Sequence, residues 1–400
     1  MIHPTFSSWN VENKRVFLRA DLNVPLSNGR IDNDFRLLSI LPTIDFILNK
    51  QGSIVLATHI GRPEGKEPEL STQQLVPWFK QRGYSIEFIP NISTIATLDI
   101  TPKQILLIEN LRFFPGEKNG DIYFAKELAR TAHYYINDAF GTIHEHACST
   151  TVLPYEFPEN RRSIGLLMQK ELQTLNSIIE NPPRPFLAIL GGGKIKDKIP
   201  LIHSLLQKVD TLFVCPALCF SFLKAIGKPV GKSLVDDNLL DHCKKIMLEA
   251  ERSSISLQFP IDYQVCLLGS SSYKRQDRNS INEHLSTISA DNFPDDAMGI
   301  SVGRKTVELI TKEINQAKTI FFNCAMGFSD KPETQQSSQD IINGMAQSSA
   351  KTIIAGGDSV KIALQTKHHQ QIDHLSTGGG AALAYLSNTL LPGLIPFEEE

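Results

Sequence analysis

Two sets of residues in this chain are of types suited to one reaction. The second half carries three glycine-rich strings, Gly191-Gly192-Gly193-Lys194, Gly356-Gly357-Asp358-Ser359 and Ser376-Thr377-Gly378-Gly379-Gly380, each following a short apolar run. A backbone without Cβ atoms can approach phosphate oxygens closely and turn several N–H groups toward them, most favourably where a helix begins. Lys194 and Lys198 would add mobile positive charge above such a loop. Asp358 and Ser359 offer a carboxylate and a hydroxyl suited to a nucleotide-bound Mg²⁺. The first half carries Asp21, Asn23, Arg36, His59, Arg62 and Arg112, whose guanidinium forks suit a phosphate or a carboxylate. Together they predict a nucleotide in one half, a small anion in the other and a phosphoryl group passing between them.

Each feature has a plainer reading. Gly-Lys is followed by Ile195 rather than Ser or Thr, so the first string is not a P-loop. The sixth residue from Gly191 is Lys196 and from Gly378 is Leu383, so no dinucleotide fingerprint is present. Taken alone, the first string also fits a tight turn with solvated lysines, and Asp358 fits an ordinary N-cap. The first-half cations fit surface arginines beside a satisfied histidine. His144 and His146 alternate like a metal pair but lack a third ligand at suggestive spacing.

With 400 residues and 41% hydrophobic content the chain can bury a full core, and its length favours two domains. A net charge of −3 and a pI near 6.4 leave no broad positive field for nucleic acid, and no basic run marks an anionic membrane surface. The first ten residues have neither the basic nor the apolar region of a signal peptide. The longest apolar stretch, 212–223, contains Pro216 and falls short of the roughly 20 residues a membrane span needs. The expectation is a soluble cytoplasmic protein. Six cysteines without a C-x-x-C pair read as free, buried thiols.

The elements that must position these residues read as α/β. Apolar runs at 16–20, 54–57, 105–108, 134–136, 186–190, 212–214, 320–322 and 352–355 lack polar alternation, as strands of a parallel sheet covered on both faces do. Residues 121–130 predict a crossover helix opened by Asp121, and residues 166–179 an amphipathic inter-lobe helix ended by Pro182 and Pro183. The polar stretch 333–340 reads as surface loop. Every candidate residue except Arg36 follows a strand. Open α/β sheets bind ligands beyond the carboxyl ends of their strands, so the pattern predicts two sheets whose active edges face a shared cleft.

Seven strings in order, Arg19-Ala-Asp21-Leu-Asn23-Val-Pro25, His59-Ile-Gly-Arg62-Pro63, Leu107-Ile-Glu-Asn-Leu-Arg112-Phe113, Asn137-Asp-Ala-Phe-Gly-Thr142, Leu190-Gly-Gly-Gly-Lys194, Gly356-Gly-Asp-Ser359 and Ser376-Thr-Gly-Gly-Gly380, span nearly the whole chain and closely resemble the phosphoglycerate kinase family. The resemblance implies reversible phosphoryl transfer from 1,3-bisphosphoglycerate to Mg-ADP, giving 3-phosphoglycerate and ATP. It implies two Rossmann-like domains, each a mostly parallel sheet flanked by helices, joined by a hinge helix and closing on each other. These would be an N-terminal glycerate domain, 1–165, a connecting helix, 166–181, a nucleotide domain, 182–385, and a C-terminal segment, 386–400, packing back toward the first. It implies a cytoplasmic monomer. Asp21, Asn23, Arg36, His59, Arg62 and Arg112 would hold the glycerate. Arg36, Lys194 and the N–H groups of Gly378, Gly379 and Gly380 would stabilise the group in flight. Lys194, Lys198, Gly303, Asn323, Asp330, Gly356, Gly357, Asp358 and Ser359 would hold the nucleotide, with Asp358 on the Mg²⁺ side.

The chain departs from the family's pattern at four places. Glu145 stands where a substrate-binding arginine is expected, which predicts repulsion of the substrate in place of attraction. Cys215-Pro216 replaces Gly-Gly beside the adenine, placing side chains in space left for a base. Asn323-Cys324-Ala325-Met326-Gly327 replaces Asn-Gly-Pro-Met-Gly, with Asp330 in place of a ribose-binding glutamate, and Ser301-Val302-Gly303-Arg304 replaces Asp-Ile-Gly-Pro.

Overall fold

A computed structural model describes residues 6–27, 29–267, 285–328 and 331–398. The chain divides into two compact units, residues 1–173 with 390–400, and residues 174–389.

In the first unit, β1 (Arg15–Ala20) leads through the short hairpin β2 (Leu26–Ser27) and β3 (Arg30–Ile31) into α1 (Phe35–Asn49). There follow β4 (Ser53–Ala57), α2 (Val76–Gln81), β5 (Ser85–Ile89), β6 (Gln104–Ile108), α3 (Pro115–Asn119), α4 (Ile122–Ala129), β7 (Tyr134–Asp138), β8 (Arg162–Ile164) and α5 (Leu166–Ile179). The six-stranded sheet has the order β5-β6-β4-β1-β7-β8, and all its pairings are parallel. Alternate residues of the same strands feed two separate cores. Val16, Leu18, Ile54, Leu56, Ile105 and Leu107 pack with Leu37, Ile40 and Ile44 of α1. Phe17, Val55, Ala57, Leu106 and Ile108 pack with Phe124, Ala125 and Leu128 of α4. This double burial is why the strands read as unbroken apolar runs. Asp121 caps α4, its carboxylate accepting from the N–H of Tyr123 and Phe124, an interaction worth about 1 kcal/mol.

The second unit begins with β9 (Phe186–Leu190), α6 (Ile195–Leu206), β10 (Thr211–Val214), α7 (Leu218–Ala225), α8 (Leu240–Arg252) and β11 (Ser256–Gln258). It continues with β12 (Asp262–Leu267), β13 (Leu285–Ser289), β14 (Ala297–Val302), α9 (Arg304–Gln316), β15 (Thr319–Asn323), α10 (Gln336–Gln347), β16 (Lys351–Ile354), α11 (Gly357–Gln365), β17 (His374–Leu375) and α12 (Gly380–Leu386). Its parallel sheet runs β11-β10-β9-β15-β16-β17, beside a three-stranded antiparallel sheet β13-β12-β14.

The unit boundary falls within α5, after Gln173, inside the stretch 166–181, and residues 390–400 group with the first unit. One stretch differs from the sequence reading. The stretch 333–340 is not surface loop: α10 starts at Gln336, and Thr334, Gln335, Ser337 and Ser338 are buried. Apart from Gln335 Oε1, which has no hydrogen-bond partner among the described residues, their polar groups are used internally. Ser338 Oγ accepts from Met326 N and donates to Met326 O, both at 2.9 Å, and Gln335 Nε2 donates to Phe328 O at 2.7 Å. Buried polar side chains are tolerated when they satisfy otherwise unpaired backbone groups, here those of the segment after β15. All six cysteines are free and buried, as expected. No described helix is long and apolar enough to cross a membrane.

Candidate active site

Because the sheet of the first unit is parallel, the carboxyl ends of its strands lie along one edge, where Asp21 follows β1, His59 follows β4 and Arg112 follows β6. Arg36 reaches this edge from the first turn of α1. Its Nη1 lies 2.9 Å from Oδ1 and 2.8 Å from Oδ2 of Asp21, and it donates to Asn23 O at 3.3 Å. Burial alone would raise the Asp21 carboxyl, but Arg36 and Arg19 outweigh it and hold the group below the usual carboxylate range. Asn23 Oδ1 accepts from Gly61 N at 2.9 Å, which ties the loop after β1 to the loop after β4.

His59 is buried, and burial followed by the nearby Arg19, Arg112 and Arg36 pushes its pKa down to about 3, against the pull of Asp21. It is therefore neutral at physiological pH. Arg19 Nη2 lies 3.3 Å from His59 Nδ1. Since a guanidinium can only donate, Nδ1 accepts and the ring proton sits on Nε2. Arg19 is not among the site residues read from the sequence. It is anchored by Nε donating to Ser149 Oγ at 2.8 Å, and Ser149 in turn donates to the buried Glu117 at 2.6 Å. Its signal was present: a charged residue inside the apolar run 16–20 must have a buried partner. Asn110 was also passed over. Its Nδ2 donates to Ile60 O and Leu70 O, both at 2.8 Å, and its Oδ1 accepts from Arg112 N at 3.0 Å, which sets the turn carrying Arg112.

Glu145 does not stand as an isolated repulsive charge. Its Oε2 accepts from Arg112 Nη2 at 2.8 Å, and its Oε1 lies 3.9 Å from Arg62 Nη2. The carboxylate is held in an internal ion pair, because the loop after β7 brings it between the two guanidiniums.

In the second unit the three glycine strings follow β9, β16 and β17 of one parallel sheet. Lys194 is exposed at the start of α6, while Lys198 is buried, its Nζ donating to Asn323 Oδ1. Lys198 is thus tethered, unlike the mobile or solvated lysine read from the sequence. Burial pushes its pKa down to about 8, offset in part by Asp197 and Asp358. Asn323, the last residue of β15, also donates from Nδ2 to Ala355 O at 2.8 Å. It thereby joins the first glycine string to the second. Gly356 has φ +97°, and a Cβ there would lie 2.4 Å from Asn323 Nδ2, so only glycine fits. The N-terminus of α11 has no side-chain cap, and Asp358 is exposed in its first turn with Gly357, while Ser359 is buried. The carboxylate of Asp358 is not spent as a cap. Gly379 precedes α12, and Gly378 N donates to Ser376 Oγ at 3.1 Å.

Gly303 is explained within the antiparallel region. A Cβ there would lie 2.2 Å from Asp262 Oδ2, and the Asp262 carboxylate caps α9 by accepting from Lys305 N and Thr306 N at 3.0 and 2.8 Å. Cys215 and Cys324 are buried around Gly191, where an added Cβ would lie 2.3 Å from Cys324 Sγ and 3.0 Å from Cys215 Cβ. Asp330 lies outside the described residues. Among the described residues no group of three or more His, Cys, Asp or Glu could hold a metal.

Comparison with known proteins agrees across the chain. The family profile described as phosphoglycerate kinase matches residues 6–389. A phosphoglycerate kinase of Finegoldia magna is 36% identical over 403 residues, covering 99% of each chain. One from Chlamydia abortus is 37% identical, covering 96% of this chain and 95% of its own. Among solved structures, phosphoglycerate kinase from Coxiella burnetii matches with a TM-score of 0.83 at 30% identity, covering 98% of this chain and 97% of that one. Phosphoglycerate kinase from Pyrococcus horikoshii shares the fold, with a TM-score of 0.84 at 24% identity, covering 99% of this chain and 98% of that one.

Proposed function

Since the chain belongs to the phosphoglycerate kinase family, we propose that it catalyses reversible phosphoryl transfer from 1,3-bisphosphoglycerate to Mg-ADP, yielding 3-phosphoglycerate and ATP. The observation that carries this reading is the Lys198–Asn323–Ala355 linkage, which holds a buried cation among glycine strings that follow parallel strands. A desolvated ammonium beside open backbone is matched to a polyphosphate.

In this reading Asp21, Asn23, Arg36, His59, Arg62 and Arg112 receive the glycerate. Asp21 aims Arg36, and neutral His59 presents its Nε2–H as a donor. Lys194, Lys198, Gly303, Asn323, Gly356, Gly357 and Ser359 hold the nucleotide, and Asp330 takes the place of a ribose-binding glutamate. Asp358, exposed in the first turn of α11, would take the Mg²⁺ carried by the nucleotide, and that ion neutralises phosphate charge when bound. Arg36, Lys194 and the N–H groups of Gly379 and Gly380 stabilise the equatorial oxygens of the phosphoryl group, while the Gly378 N–H is engaged by Ser376 Oγ. No covalent intermediate is needed: in-line placement, charge stabilisation and exclusion of water suffice. Transfer requires the two ligand-binding edges to meet in a closed cleft about the α5 hinge. The protein acts as a cytoplasmic monomer with no nucleic-acid or membrane partner.

The test is coupled turnover of purified protein with 1,3-bisphosphoglycerate and Mg-ADP. ADP-dependent formation of ATP is expected, and its absence at high substrate would refute the reading. The Glu145–Arg112 pair favours a second possibility, a binding protein without turnover or a phosphotransferase for a less anionic acceptor. Calorimetry with 3-phosphoglycerate and Mg-ADP, set beside the turnover assay, separates the two.

A further inference from the structure

Glu145 carries a charge near the glycerate residues that the proposed chemistry does not use. Its carboxylate is shared among three cationic or potentially cationic neighbours: Arg112 Nη2 at 2.8 Å, Arg62 Nη2 at 3.9 Å and His144 Nε2 at 4.0 Å. The arrangement is braced on both sides. Arg112 is held by Nη1 donating to Gly61 O at 2.7 Å, which directs its remaining nitrogens to the carboxylate. Glu145 N donates to Thr142 O at 3.0 Å within a turn whose Thr142 is buried. A carboxylate so placed takes the guanidinium donors that the phosphate end of a glycerate phosphate would use.

We propose that Glu145 is a tethered anion occupying the Arg62–Arg112 seat, which a substrate phosphate must displace, so that Glu145 sets the affinity for phosphate-bearing acceptors. This rests on the glycerate reading above. Because the anion is attached to the same chain, it competes as an intramolecular ligand and is always present at the seat. The Arg112 side chain is 23% exposed and that of Glu145 36%. Solvent therefore weakens the pair, and the expected effect on affinity is about threefold to tenfold.

The experiment is calorimetric titration of the full chain with 3-phosphoglycerate and, separately, with Mg-ADP, for the wild type, Glu145→Gln and Glu145→Ala, with thermal melting to establish that each is folded. The expected result is a Kd for 3-phosphoglycerate about threefold to tenfold lower in the neutral variants, with an unchanged Kd for Mg-ADP. Tightening of at least about twofold in either folded variant supports displacement. Smaller tightening in both would overturn it, as would weaker binding, which would make Glu145 a positioning residue for Arg112. If all three proteins bind Mg-ADP and none binds 3-phosphoglycerate, the glycerate reading fails as well. Equal binding of 3-phosphoglycerate by all three removes this inference alone.

Discussion

Lys198 is the residue at which burial and proposed function bear on each other most directly. Its pKa near 8 lies below the ordinary lysine value, so the folded state binds fewer protons than the unfolded state between about pH 8 and 10.5. A polyphosphate beside it would favour the charged form. The Kd for Mg-ADP should therefore be nearly constant up to about pH 7 and rise about tenfold from pH 7 to 9, as free Lys198 loses its proton. Calorimetry across that range checks this, and Lys198→Met should bind more weakly and without that pH dependence. A flat profile in the wild type would show that Lys198 does not meet the phosphates. The sequence marked Lys198 as a cation after a glycine string, but its burial was hidden because it depends on Asn323, 125 residues away. His59 was legible as a site residue in the same way, whereas its tautomer was not, since that is decided by Arg19 from the neighbouring strand β1.

Strands and crossover helices were the most legible elements, because burial on both sheet faces removes polar alternation and leaves a short apolar run. The helix α5 coincides with the periodic stretch 166–179. What seats its beginning was not legible: Asp138, at the end of β7, accepts from Met168 N at 2.7 Å and from Thr43 Oγ1 at 2.5 Å. Gly165 leaves the space for this carboxylate, since a Cβ there would lie 2.1 Å from Asp138 Cγ. Gly165→Ala should displace Asp138 from the helix start and cost about 1–3 kcal/mol. Chemical denaturation of the variant against the wild type checks this, and unchanged stability would show that the carboxylate moves without loss. The segment 333–340 misled the sequence reading for a related reason. Serine, threonine and glutamine are usually exposed, and only the backbone after β15 makes their burial favourable.

At the scale of the molecule, the end of the chain belongs to the unit that its beginning builds. Leu391 and Leu394 are buried, Gly393 N donates to Ile143 O at 2.9 Å, and the Phe397 ring stacks on Tyr135 with centroids 6.3 Å apart. Two buried leucines contribute about 1.5–3 kcal/mol each. Removing residues 390–400 should therefore lower the stability of the first unit by roughly 3–6 kcal/mol while leaving the second unchanged. Hydrogen exchange followed by mass spectrometry would report this as lost protection in residues 6–173 alone, and equal loss in residues 174–389 would contradict it. The sequence by itself determined the α/β class and eight of the parallel strands, because burial pattern is written in neighbouring residues, and its ordered strings carried the resemblance to the family. Tertiary structure decided the pairing of Glu145 with Arg112, the tether on Lys198 and the tautomer of His59. Each of these depends on groups far apart in the chain, and the strength and even the sign of an electrostatic effect follow from which charge lies within a few ångströms.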